Sequence, residues 1–158
     1  MRIGLSGGAS SVDKMVEQAQ RAEDDGFTSL WYASAIAGDP LAAMGLAGRS
    51  TSKIELGTAV LQTYAAHPVL QANRAVAAAD VMGRDGLTLG VGPSHQPSIE
   101  GMLGLSYARP GQHTEEYVQV LSALLRGETV SFKGDELRVN AAGPAAAQAR
   151  TVPLLLSA

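Results

Sequence analysis

The stretch Ile54-Glu55-Leu56-Gly57-Thr58-Ala59-Val60-Leu61-Gln62-Thr63-Tyr64-Ala65-Ala66-His67-Pro68 constrains the fold more than any other part of the chain. It begins as an apolar, β-rich run, ends in a polar turn and meets Pro68, whose fixed φ suits the first position of a helix. Strand, short loop and proline-started helix make one β/α unit, with the loop at the strand's carboxyl end. In parallel α/β folds that end is where ligands bind.

The rest of the chain reads as further copies of this unit. Arg2 to Ser6 is a short apolar strand, followed by Gly7-Gly8-Ala9-Ser10-Ser11. Val12, Met15, Val16, Ala19 and Ala22 then share one helical face; Ser10 with Asp13 resembles a capping pair and Gly26 is a natural stop. Phe27 to Tyr32 is a second strand, and Asp39-Pro40 supplies an N-cap and an N1 proline for a second helix. The helix after Pro68 ends at Gly83, and Gly86 to Gly92 is a fourth strand that empties into Pro93-Ser94-His95-Gln96-Pro97. Pro110 starts a helix with Tyr117, Val118, Leu121, Leu124 and Leu125 on one face, closed by Gly127. Thr129 to Val139 breaks the rhythm: Val130 and Phe132 alternate, Lys133-Gly134-Asp135 turns, and Leu137 and Val139 alternate back, a β-hairpin insertion. Val152 to Ala158 is a fifth apolar strand.

Strands start roughly 25 to 33 residues apart before the insertion, the size of a βαβ repeat. Their continuous apolar runs place helices on both sheet faces. The fold class is therefore α/β with a parallel sheet. Periodicity alone does not separate part of a (β/α)8 barrel from an open doubly wound sheet.

Composition narrows the function classes. Of 158 residues, 46% are hydrophobic and 17% charged, so a globular core is expected. A net charge of −3 without a Lys/Arg-rich run gives no footprint for nucleic acid. No apolar run is long enough to span a bilayer, and Met1-Arg2 leads directly into a strand. With no cysteine there is no disulfide, thiolate metal site or Cys nucleophile, which fits a cytoplasmic protein. The histidines His67, His95 and His113 show no metal-ligand spacing, so no metal is expected.

Several ordered blocks resemble the bacterial luciferase-like family. They are Arg2-Ile3-Gly4-Leu5-Ser6-Gly7-Gly8, Ala22-Glu23-Asp24-Asp25-Gly26-Phe27, Ile54 to Val60, His67-Pro68, Gly90-Val91-Gly92-Pro93-Ser94-His95 and Glu115-Glu116-Tyr117. Within that family the resemblance is closest to the actinobacterial oxidoreductases that use coenzyme F420, a deazaflavin. It implies a luciferase-like TIM-barrel domain with a flavin-like ring across the carboxyl ends of its strands, and a non-prolyl cis peptide placed here at Ala59–Val60. It also implies a cofactor floor of Gly7, Ser34, Ala59, Val60, Ser94 and Ser157, with FMN as the alternative cofactor. A small organic molecule is the implied substrate. Two departures stand out. Ala33-Ser34-Ala35 carries no ionisable group where many members place an acid or histidine, and a whole barrel needs about 250 residues. Residues 1–158 are thus expected to be the N-terminal part of one barrel domain, with about five of its eight strands and the hairpin at 129–139. An inactive half-barrel that needs a partner, possible homodimer included, is the alternative of another class.

Individual residues carry competing readings. His95, just past the fourth strand, either serves the reaction as its one protonatable group or is a solvent-facing loop histidine. His67 reads as a helix cap, and His113 as a surface residue. Gly4-Leu5-Ser6-Gly7-Gly8 matches G-x-S-x-G, but no earlier loop is available to supply an oxyanion donor for Ser6, which argues against a serine hydrolase. Trp31 and Tyr32 read as core, and Tyr64 as a residue either shaping the substrate side or lying over the loop.

Overall fold

In a computed structural model that describes residues 1–8, 10–33, 39–144 and 150–157, a parallel sheet is the organising layer. Its strands are β1 (Gly4–Gly7), β2 (Ser29–Tyr32), β3 (Glu55–Thr58), β4 (Leu61–Gln62), β5 (Leu87–Gly92) and β8 (Leu154–Leu156), all paired parallel. β3 and β4 lie along one line, because both pair with β5, the first near its start and the second near its end. The order across the sheet is thus β1, β2, β3/β4, β5, β8. β6 (Thr129–Lys133) and β7 (Arg138–Ala142) form the antiparallel hairpin expected from their alternation.

The connecting helices are α1 (Val12–Asp24), α2 (Pro40–Arg49), α3 (Pro68–Met82) and α4 (Pro110–Leu125). Their ends follow local chemistry. Asp39 Oδ1 accepts from the Leu41 N–H at 3.0 Å ahead of Pro40, and Gly83 closes α3 at φ 74°. His67 caps α3 as expected, its Nδ1 accepting from the Val69 N–H at 3.3 Å. The cap of α1 is Ser11 rather than Ser10: helical geometry starts at Val12, so the Ser11 hydroxyl is the one that reaches the Lys14 N–H.

β5, the central strand, is buried at all six positions, and Leu87, Leu89 and Val91 pack with Leu56, Leu30 and Ile54 in the core. Small residues bring the layers together. A Cβ on Gly57 would strike the Trp31 ring, and one on Gly48 would strike Met82. The hairpin is held to α4 by Glu116, 4% exposed, whose carboxylate accepts from the backbone N–H groups of Asp135, Glu136 and Leu137 at 2.8 to 2.9 Å and from Gln112. These bonds stabilise the ionised form and hold its pKa at about 2. Among the described residues β1 and β8 each pair on one side only, and Leu155 and Leu156 of β8 are about half exposed. Among the described residues no helix is long and apolar enough to cross a membrane.

Candidate cofactor site at the carboxyl ends of the strands

The break between β3 and β4 is a β-bulge. Gly57 pairs with Thr88 and Leu61 with Val91, so four steps on one line face three on the other. The Thr58 side chain repairs the ladder: its hydroxyl donates to Gly90 O and accepts from Gly90 N–H, both at 2.8 Å. Gly90 is required here, because a Cβ would collide with Thr58 O. The Ala59–Val60 peptide inside the bulge is cis. The Ala59 N–H donates to Tyr32 O at 2.7 Å, leaving the Ala59 side exposed and Val60 half-buried at the lip of the sheet.

Neighbouring strand ends close up against this bulge. A Cβ on Gly92 would lie 2.9 Å from Ser157 O and 3.0 Å from Val60 Cγ2, and the Ser157 N–H donates to Val91 O at 2.9 Å. Ser94, just beyond, has φ 66°, a left-handed conformation unusual for a residue with a Cβ. Two side chains hold it there. Gln62 Nε2 donates to Ser94 Oγ at 3.1 Å, and the Tyr107 hydroxyl donates to Ser94 O at 2.7 Å.

The structure thus brings Ala59, Val60, Ser94 and Ser157 onto one surface. Gly7 ends the edge strand β1, and Ser34 lies outside the described residues. His95 is exposed, and its side chain makes no hydrogen bond among the described residues; its carbonyl accepts from the Ser98 and Ile99 N–H groups that begin a π-helical turn over Pro97–Met102. Ser6 is exposed on β1, and its hydroxyl likewise has no hydrogen bond among the described residues. No group of three or more His, Asp or Glu among the described residues could hold a metal ion.

His113 overturns its sequence reading as a surface residue. It is half-buried and stacked on Tyr64 with ring centroids 3.8 Å apart, while Tyr107 lies 5.5 Å from Tyr64 and Tyr117 5.8 Å from His113. The cause is the first turn of α4, which packs on the β4–α3 loop where the Tyr117 hydroxyl donates to Ala66 O at 2.9 Å. Burial pushes the His113 pKa below the ordinary histidine value, which favours the neutral ring. Its Nε2 and the Thr63 Oγ1 are both buried without a hydrogen-bond partner among the described residues, and both residues line a cavity of about 200 Å³. The available signal was that His113 stands four residues before Tyr117, on the same helix face. Gln62 and Tyr107 carried no signal, because both act through bonds to a loop far along the chain.

Comparison with known proteins follows the same lines. The chain is 27% identical over 146 residues to 5,10-methylenetetrahydromethanopterin reductase of Methanolobus tindarius, covering 92% of this chain and 44% of that protein. It is 29% identical over 147 residues to a Mycobacterium tuberculosis protein assigned as a coenzyme F420-dependent oxidoreductase, covering 90% of this chain and 42% of the other. Among solved structures, an F420-dependent secondary alcohol dehydrogenase in complex with an F420-acetone adduct superimposes with a TM-score of 0.79 at 25% identity, over 100% of this chain and 53% of that one. The oxygenating constituent of 3,6-diketocamphane monooxygenase from Pseudomonas putida, in complex with FMN, shares the fold at a TM-score of 0.77 and 15% identity, over 99% of this chain and 51% of the other. The chain therefore spans about half the length of the relatives it matches, and its sheet corresponds to an incomplete luciferase-like TIM barrel. The luciferase-like monooxygenase family matches residues 1–158, the whole chain, and this protein belongs to that family.

Proposed function

We propose that the strand-end surface seats the ring of coenzyme F420 and that the chain serves hydride transfer between this deazaflavin and a small organic substrate. The observation that carries the reading is the ledge around the bulge: across Ala59, Val60, Gly92, Ser94 and Ser157 no side chain is longer than valine. A planar ring can therefore lie against backbone. The cofactor, when bound, supplies the hydride chemistry, and the protein supplies orientation and exclusion of water. Ser94 Oγ accepts from Gln62, so its own O–H proton is free to donate to a ring carbonyl. Tyr107 fixes the Ser94 backbone, and Gly7 marks the far end of the floor on β1. His95, exposed on the loop beside Ser94, is the group that exchanges a proton with solvent at the edge of the site.

FMN is the second reading, favoured by the FMN-bound structural neighbour, and it would make the reaction an oxygen-dependent monooxygenation. The open sides of β1 and β8 support a further element of this reading: residues 1–158 form the N-terminal part of one barrel domain and pair with additional chain or with a second copy in a homodimer. The test is a parallel fluorescence titration of the protein with F420 and with FMN. Saturable binding of F420 that weakens in Ser94→Ala supports the assignment, and saturable binding of FMN alone transfers it to the second reading. A folded sample that binds neither refutes both for this chain.

A further inference from the structure

The first turn of α4 grips the β4–α3 loop through aromatic rings. His113 stacks on Tyr64 with planes 15° apart, and the Tyr117 hydroxyl, one turn later, pins Ala66 O. The Thr63 N–H is bonded to Gly92 O in the sheet at 2.9 Å. Tyr64 therefore stands between two pinned backbone points, Thr63 and Ala66, and its ring is held by its neighbours' rings. One of these is Tyr107, whose hydroxyl holds Ser94 O on the ledge. A line of contacts thus runs from His113 through Tyr64 and Tyr107 to Ser94.

The stack suits an uncharged imidazole. A neutral ring has one N–H, whereas a protonated ring has two donors. His113 Nε2 is closed off from solvent, and no bond joins it to the equally buried Thr63 hydroxyl. A charged N–H there would meet neither water nor an acceptor, which is costly. The surrounding charges do not offset this. Tyr64 and His67 face the ring from the loop, Glu136 and Asp135 from the hairpin, Glu116, Tyr117 and Arg109 from α4 and the residue before it, and Tyr107 lies beside Tyr64. Burial disfavours the cation, while Glu136, the Thr63 backbone and Glu116 favour it. However, Glu136 already pairs with Arg109 at 2.6 Å, and Glu116 is occupied by three backbone N–H groups and Gln112. The start of α4 adds the positive end of a helix dipole. The face of Tyr64 attracts a cation, yet burial prevails and lowers the proton affinity of the ring.

We infer that His113 is a pH-sensitive latch: neutral, it holds Tyr64 against α4, and on protonation it unstacks and withdraws the support behind Tyr107 and Ser94. The latch stands apart from the proposed function; only its effect on the ring site, a looser Ser94 in acid, rests on that reading. Because the released ring titrates near the ordinary 6.5 and the stacked ring below it, the ratio of unstacked to stacked protein rises by up to about tenfold per pH unit as pH falls below 6.5.

The experiment is an NMR pH titration, without cofactor, of protein carrying ¹³C-labelled histidine and tyrosine rings and ¹⁵N amides. His95→Gln is the parent, so that the exposed imidazole beside Ser94 contributes nothing. The nuclear Overhauser effect between the His113 and Tyr64 rings should disappear with the midpoint of the His113 titration, below 6.5, and the Tyr107 ring and Ser94 amide should shift with that same midpoint. The rival cause is His67, which lines the same cavity and caps α3. His67→Asn keeps a cap without a titrating ring and should leave the transition in place. His113→Phe keeps a ring on Tyr64 and should abolish the shifts at Tyr107 and Ser94. A stack that survives the His113 titration, a Ser94 amide that does not follow it, or unfolding before His113 titrates overturns the latch. So does a transition that vanishes in His67→Asn or persists in His113→Phe. The parent and His67→Asn decide the matter where His113→Phe does not fold. Unstacking in a chain whose unsubstituted form captures neither F420 nor FMN sinks the proposed function and leaves the latch standing; cofactor capture with a stack indifferent to pH does the reverse.

Discussion

The hydroxyl of Thr58 should matter more to this fold than its methyl group. Thr58 is 1% exposed and spans the bulge, with one bond to Gly90 O and one from Gly90 N–H. Thr58→Val keeps the shape and removes both bonds, leaving a buried donor and a buried acceptor on Gly90. Each unpaired group costs about 1–3 kcal/mol, so a loss of about 2–6 kcal/mol is expected. Thr58→Ser keeps the hydroxyl and removes one methyl, a transfer loss of about 0.8 kcal/mol, raised to about 1–1.5 kcal/mol by the small cavity left behind. Urea unfolding followed by circular dichroism and by the fluorescence of Trp31, the single tryptophan, measures both variants. With a slope near 2 kcal/mol per molar urea, Thr58→Val should lower the midpoint by about 1–3 M, and Thr58→Ser by about 0.5–0.8 M. A serine variant less stable than the valine variant would refute the hydroxyl's role in the bulge and leave Thr58 as ordinary core packing.

Three further outcomes follow from named contacts. Glu116→Gln should loosen the hairpin, seen as faster amide exchange at Asp135, Glu136 and Leu137, whose N–H groups the carboxylate holds. Because the folded Glu116 pKa is lowered from 4.5 to about 2, its contribution is complete above pH 4.5 and is lost as pH falls toward 2, so the pH dependence of unfolding in that window should flatten in the variant. His113, with its pKa lowered by burial, contributes stability in full above its unfolded value near 6.5 that declines as pH falls below it; an NMR titration should find its midpoint below 6.5, and His113→Phe should remove that slope. Tyr107→Phe removes the bond to Ser94 O and should weaken F420 binding about tenfold, while changing stability by no more than about 1 kcal/mol.

The strands, helices and hairpin were legible because their signals are local. Pro40, Pro68 and Pro110 start helices where fixed φ predicts, Gly83 ends one, and Leu87 to Gly92 is buried on both faces as its continuous apolar run requires. Boundaries drifted by a residue or two. The first strand runs Gly4–Gly7 instead of ending at Ser6, and the third is two strands, because a bulge leaves no mark in hydrophobic pattern. Its cis peptide at Ala59–Val60 was placed by resemblance alone. The π-helical turn at Pro97–Met102 was not legible, and the burial of His113 was marked only by its place four residues before Tyr117. Both depend on how loops from different units pack together, and a polar residue in a first helical turn looks the same in sequence whether it faces solvent or a neighbouring loop. The Gln62–Ser94 and Tyr107–Ser94 bonds were hidden for the same reason.

Hydrogen–deuterium exchange with and without F420 tests the central claim most directly, because it reports where the cofactor sits. The account predicts slowed exchange in peptides covering Thr58–Thr63 and Gly92–His95, with no change at the opposite ends of the strands around Lys53–Glu55 and Arg84–Gly86. Saturable F420 binding that leaves Thr58–Thr63 and Gly92–His95 unprotected would contradict it.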